Sequence, residues 1–181
     1  MVIETGRFGQ IKVSESEIIT IPSGILGFPE DQEFCLVDSA DDTLILWLQS
    51  IRNPHLAFPV LEPKIFKPDY IVRLSGAELR ELKLESIKNA SVYTILTIPE
   101  DLTLMTANLK APLVINTANR IAKQVVLQEN DQPIKFAIFK ELRTHLISMQ
   151  SANNKVADHS LGAVEVSSLP RNTFVEAISG L

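Results

Sequence analysis

The chain has a single cysteine, Cys35, among 181 residues. That excludes an internal disulfide and a thiolate zinc cage. Its neighbours, EFCLVD, read as a strand, so the thiol is expected to be a small buried apolar group. Glycine is also scarce: the seven glycines stand at 6, 9, 24, 27, 76, 162 and 180. The span between Gly76 and Gly162 therefore holds no P-loop and no G-x-G-x-x-G turn. Gly6/Gly9 and Gly24/Gly27 form two G-x-x-G pairs, which fit turns at positive φ better than nucleotide loops. Long apolar runs are missing too. The longest stretch without a formal charge, Ile18 to Pro29, has 12 residues and two prolines, whereas a membrane helix needs about 20 mostly apolar residues. Glu4 and Arg7 occupy the N-terminal region where a signal peptide needs an apolar run. A cytoplasmic protein is expected.

Catalytic raw material is thin. Of the three histidines, His55, His145 and His159, none pairs with another at a helical metal-ligand spacing and none neighbours Cys35. The two Pro-Glu-Asp triplets, at 29–31 and 99–101, fall where turns are expected, so their carboxylates read as solvated turn acids. Basic residues are absent from one long segment: between Glu15 and Asp42 there are eight acids and no Lys or Arg. With a net charge of -5, direct nucleic-acid binding is disfavoured, because it depends on clustered Lys and Arg. The acidic segment is either a solvated sheet edge or a face that steers a basic partner.

What is present is mostly strand. With 45% hydrophobic and 22% charged residues, the composition is that of a globular protein rather than a disordered one. GQIKV, EIITIP, EFCLVD, LILWLQS, HLAFPVLEP, YIVRL, SVYTILTIP, APLVIN and IAKQVVL are short and rich in β-branched and aromatic residues, and turn formers separate them. Many short strands suggest a sandwich or barrel, with Pro59 at an edge or bulge. Ser75-Gly76-Ala77-Glu78 has capping-box form and predicts one short helix over about 76–82. The expected fold is mostly β, a small antiparallel β-barrel-like domain over 1–137. Residues 138–181 read as a C-terminal helical extension. In it, Ile138, Leu142, Leu146 and Met149 form an amphipathic stripe, a polar linker follows, and Thr173 to Glu176 with Gly180 bracket a terminal helix.

Two stretches have the character of recognition surfaces. LQSIRNPHLAFPVLEPKIFKPDY sets Phe66 and Tyr70 near Arg52 and Asn53, and aromatics with Arg are typical interface anchors. MTANLKAPLVIN reads as a strand flanked by Asn108 and Asn116, whose amides would bond backbone groups where it begins and ends. Asn108 and Lys110 are its candidates for recognition.

Those two stretches, together with IPSGILGFPEDQEFCLV, ILTIPEDLTLMTANLKAPLVIN and AKQVVL, resemble the FliW family of flagellar assembly factors over about residues 1–135. TANLKAPLVIN is the most specific piece. The resemblance implies a non-enzymatic, cofactor-free protein, a monomer when free. It implies two partners: CsrA, a basic dimeric RNA-binding repressor of flagellin translation, and flagellin, which competes for the same factor. Arg52, Asn53, Phe66, Tyr70, Asn108 and Lys110 are the candidate protein-binding residues. A small-ligand barrel with a pocket under the Ser75 helix, and a hydrolase using converging carboxylates, are the alternatives from other classes. The family pattern ends near QPIKFAI and gives no role to the roughly 40 residues beyond.

Overall fold

The structure, a computed structural model, describes residues 1–39, 44–128, 132–152 and 164–165. A hairpin of β1 (Val2–Thr5) and β2 (Gly9–Lys12) opens the chain. The main sheet contains β3 (Ile19–Thr20), β4 (Glu33–Asp38), β5 (Leu46–Ser50), β6 (Ala57–Leu61), β7 (Ala90–Thr97), β8 (Thr106–Ala107), β9 (Leu113–Asn116), β10 (Ala122–Gln124), β11 (Phe136–Ala137) and β12 (Val164–Glu165). Its strand order is β10-β9-β7-β6-β5-β4-β12, with β3 also on β4, β8 on β7 and β11 on β8. Every named pairing is antiparallel except β12 with β4.

The sheet curves so far that its two ends meet. The Thr20 amide donates to the Arg120 carbonyl at 2.9 Å, and Thr20 forms an isolated bridge to Ile121. The architecture is thus barrel-like without being closed: an isolated bridge, not a ladder, joins Thr20 to Ile121. Inside lie Ile19, Ile21, Phe34, Leu36, Leu46, Leu48, Tyr93, Leu113 and Ile115. On the outer face of β4, Cys35 and Val37 pack with Ile3, Phe8, Ile11 and Val13 of the hairpin region. A third cluster joins Leu61, Phe66, Tyr70, Leu82, Met105, Leu109 and Val114.

The expected helix forms as α1 (Gly76–Glu81), with its capping box intact: Glu78 N donates to Ser75 Oγ, and Ser75 N to Glu78 Oε2 at 2.7 Å. In the C-terminal region α2 (Phe139–Ala152) forms, and Ile138, Leu142 and Leu146 are buried in the third cluster. The stripe therefore packs on the chain's own sheet. The terminal helix expected from Thr173 lies outside the described residues.

Three local expectations are corrected. YIVRL is not a strand: Tyr70 and Val72 are buried and Ile71 is exposed, so the alternation is there without a ladder partner. The expected linker supplies β12. Gly9, Gly24 and Gly27 do take positive φ, but Gly6 does not. It is small for a different reason, since a Cβ there would stand 2.9 Å from His55 Nδ1. Pro59 lies where β6 has lost its neighbour, because β7 pairs only with Val60 and Leu61.

Candidate protein-interaction surface

The stretch TANLKAPLVIN runs along β7 twice, first as β8 and then as β9. Leu96 pairs with Ala107, whereas Tyr93 pairs with Leu113, so the register jumps and residues 108–112 are extruded as a wide bulge. Asn108 holds that bulge. Its Oδ1 accepts from the amides of Lys110 and Ala111, each at 3.1 Å, and its own amide donates to the Ile95 carbonyl at 2.9 Å. Asn116 works similarly at the far end: its Nδ2 donates to the carbonyls of Leu82 at 2.9 Å and Lys83 at 3.0 Å. Those carbonyls end α1, where no intrahelical donor is available. Both amides bond backbone, as the strand-flanking reading expects. Lys110 is half-buried, and its carbonyl accepts from the Leu127 amide at 2.9 Å.

Phe66 and Tyr70 belong to the core. They are 4% and 3% exposed. Phe66 stacks on Phe136 with ring centroids 6.1 Å apart, and the Tyr70 hydroxyl donates to the Leu109 carbonyl at 2.7 Å. Neither ring has a face left for a partner in this fold. Nearby, the Asp69 carboxyl is held below its usual range, first by the hydrogen bond from Lys67.

Arg52 and Asn53 lie on the surface, beside the acidic segment. Arg52 extends its guanidinium to Glu33, with Nη2 to Oε2 at 3.1 Å. Ser50 Oγ donates to Asp31 at 2.7 Å and accepts from the Asn53 amide at 3.0 Å. The Asn53 carbonyl takes the Leu56 amide at 3.1 Å, and its Oδ1 takes the His55 amide at 3.2 Å. Asn53 therefore shapes the β5–β6 turn. Its neighbour Pro54 receives the Gly6 amide at 2.7 Å, which docks the first hairpin, and Arg7 lies 3.6 Å over the Trp47 ring.

The structure brings out an apolar pair that residue patterning passed over. Leu26 and Phe28, in the turn between Gly24 and Phe28, are 61% and 40% exposed, and Phe28 meets Phe58 edge-on at 5.3 Å. The paired glycines were the available signal, since a tight G-x-x-G turn projects the residues between and after them.

Other chemistry finds little support. Beside α1 lies a half-open depression of about 340 Å³ lined by Pro22, Ser23, Glu81, Leu82, Ile121, Ala122 and Lys123. The Leu82 and Leu84 side chains are themselves buried in the core. Glu81, the one acid lining that depression, is ion-paired to Lys123. Among the described residues no group of three His, Cys, Asp or Glu could hold a metal, and no helix is long and apolar enough to cross a membrane. Burial pushes the Cys35 thiol up to about 12, with Glu17 adding to the shift, so it carries no thiolate to react.

Comparison with known proteins gives the same direction throughout. The sequence profile of the FliW protein family matches residues 2–138. The flagellar assembly factor FliW of Bdellovibrio bacteriovorus is 44% identical over 147 residues, covering 81% of this chain and 84% of that protein. That of Alkaliphilus metalliredigens is 36% identical over 163 residues, covering 90% and 98%. A crystal structure of the flagellar assembly factor FliW superposes with a TM-score of 0.72 at 33% identity, covering 76% of this chain and 96% of the other. The chain belongs to the FliW family of flagellar assembly factors.

Proposed function

We propose that this chain is a cytoplasmic partner-switching regulator that binds CsrA, relieving its repression of flagellin translation, and binds flagellin in competition. Family membership supports the reading at the level of flagellar assembly. The observation that carries the CsrA half is the acidic segment, eight acids without a Lys or Arg from Glu15 to Asp42, of which Glu33 and Asp38 lie on β4 itself. A basic, RNA-binding protein is the natural complement of such a surface. The attraction raises encounter rate and selectivity more than affinity, and negative charge beside an RNA site also repels RNA.

Of the six candidate residues, Arg52 and Asn53 are exposed and Asn108 and Lys110 are half-buried. Phe66 and Tyr70 act from below by fixing the segments that carry them. The test is co-purification with the cognate CsrA and flagellin, each then added as competitor of the other, at low and high salt. Capture of each, mutual displacement, and salt-weakened CsrA binding are the expected results. Failure of both proteins to bind at micromolar concentration overturns the reading, and salt-independent CsrA capture removes the role of the acidic segment.

A further inference from the structure

The turn that carries Leu26 and Phe28 is tied down on both sides. Ile25, 2% exposed, roots it in the barrel interior. The Gly24 amide donates to the Ile21 carbonyl at 2.8 Å and the Phe28 amide to the Ile25 carbonyl at 2.7 Å, which closes the turn on itself. A further bond ties it across to β10: the Leu26 amide donates to Gln124 Oε1 at 2.9 Å, and Gln124 Nε2 donates to the Ala111 carbonyl at 3.2 Å. Leu26 and Phe28 are therefore held in solvent by a fixed backbone. Phe28 is also continuous with the core, since Phe58, which it meets edge-on, lies 6.4 Å from Phe34 in the interior.

A single exposed leucine needs no explanation. Two large apolar side chains on one closed turn, backed by a half-buried third, leave apolar area in water that a docked partner would remove. A preformed turn also loses little conformational freedom on binding. The charges that follow the turn state the partner's chemistry. Glu30 is exposed, and its side chain has no ion-pair or hydrogen-bond partner among the described residues. Asp31 accepts the neutral Ser50 hydroxyl at 2.7 Å and is paired with no cation among those residues. Arg52 is taken by Glu33, and the segment itself supplies no Lys or Arg from Glu15 to Asp42. An apolar centre bordered by two unneutralised carboxylates fits an apolar patch bordered by Lys or Arg.

We propose that the Gly24–Phe28 turn is the apolar anchor for a basic protein partner, with Leu26 and Phe28 entering its apolar patch and Glu30 and Asp31 meeting the cations around it. The proposal rests on the reading above, in which the basic partner is CsrA.

The test measures CsrA and flagellin capture by the unmodified chain and by Leu26→Ser, Leu26→Ser/Phe28→Ser, Glu30→Lys and Ile71→Ser, with amide hydrogen exchange followed in the CsrA complex. Ile71 is 59% exposed against 61% for Leu26, so its variant removes comparable apolar surface outside the turn. Leu26→Ser keeps the Phe28–Phe58 contact and stays informative if the double variant is unstable. CsrA should bind Leu26→Ser at least ~10-fold more weakly at low and high salt alike. Glu30→Lys should slow association at low salt only. Ile71→Ser should bind as the unmodified chain does, and bound CsrA should slow exchange at 24–28. Failure of the unmodified chain to capture CsrA overturns the reading and the anchor together. Capture by the unmodified chain and equally by Leu26→Ser overturns the anchor alone, as does a CsrA complex that leaves 24–28 unprotected or an equal loss in Ile71→Ser. Weakened flagellin capture with CsrA capture intact assigns the turn to flagellin, and a free chain that dimerises unless Leu26 is replaced assigns it to a second copy. Either result overturns the proposal.

Discussion

The Tyr70 hydroxyl donates to the Leu109 carbonyl at 2.7 Å across 39 residues of chain, and the Leu109 amide donates to the Pro133 carbonyl at 3.0 Å. One residue of the bulge, Leu109, is thereby held by two distant segments, and the Tyr70 bond is buried. Tyr70→Phe leaves the carbonyl buried without this donor. The expected cost is about 1–3 kcal/mol, read as a Tm lowered by roughly 2–12 °C. Capture of CsrA or flagellin by the folded fraction should be unchanged. A loss of capture without a loss of stability would return Tyr70 to the partner-facing surface.

The two asparagines that flank the bulge and strand β9 separate by burial. Asn116, 3% exposed, satisfies two carbonyls at the end of α1 and accepts the Ala118 amide at 2.9 Å. Asn108 satisfies two amides in a half-buried turn. Asn116→Ala should cost about 2–4 kcal/mol and Asn108→Ala about 1–2 kcal/mol by denaturant unfolding, since the penalty falls when water can replace the lost partner. The reverse order would mean that the bulge, rather than the helix end, holds this part of the fold.

Features whose partners are close in sequence were legible in advance. Ser75 and Glu78 satisfy each other within one turn, so the capping box needs no tertiary information, and the apolar run of β4 declares a strand wherever it lies. The fate of Phe66 and Tyr70 was not legible. Aromatics beside Arg52 and Asn53 look like anchors, and only Phe136 and Leu109, remote in the chain, make them core. Ile71 between Tyr70 and Val72 gives a strand-like alternation, but alternation reports which side is buried and is silent on whether a neighbouring strand supplies hydrogen bonds.

Gly24 and Gly27 share positive φ but not surroundings. A Cβ on Gly24, at φ +65°, would stand 2.4 Å from the Phe28 carbonyl oxygen and 2.7 Å from Pro29 Cα, whereas one on Gly27, at φ +90°, meets nothing within 4 Å. Gly27→Ala therefore carries backbone strain alone, about 1–3 kcal/mol. Gly24→Ala adds a clash with backbone that cannot rotate away, and it should unfold at clearly lower denaturant or fail to accumulate. Equal midpoints for the two variants would show that the turn shifts to admit the methyl group. Because this turn presents Leu26 and Phe28, Gly24→Ala should also alter the exposed apolar pair, while Gly27→Ala leaves it in place.

Cys35 links the buried strand to the pH axis. Its pKa is pushed up to about 12 from 9.0, first by desolvation and then by the Glu17 charge. In the unfolded chain the thiol ionises near its ordinary value, so between about 9 and 12 the unfolded state binds fewer protons than the native one. Stability then falls as pH rises through that window, and the contribution is complete below about 9. At neutral pH the native thiol should resist a thiol-disulfide reagent and react only as fast as the chain opens, with full reactivity in denaturant. Cys35→Ser places a hydroxyl among Val37, Ile3, Phe8 and Ile11 and should destabilise the chain, whereas Cys35→Ala loses only packing volume. Both should remove the thiol's part of the alkaline loss, measured as the difference in unfolding free energy between pH 8 and pH 10. If the wild-type loss over that interval persists undiminished in Cys35→Ala, other groups govern the alkaline limb and the buried thiol does not.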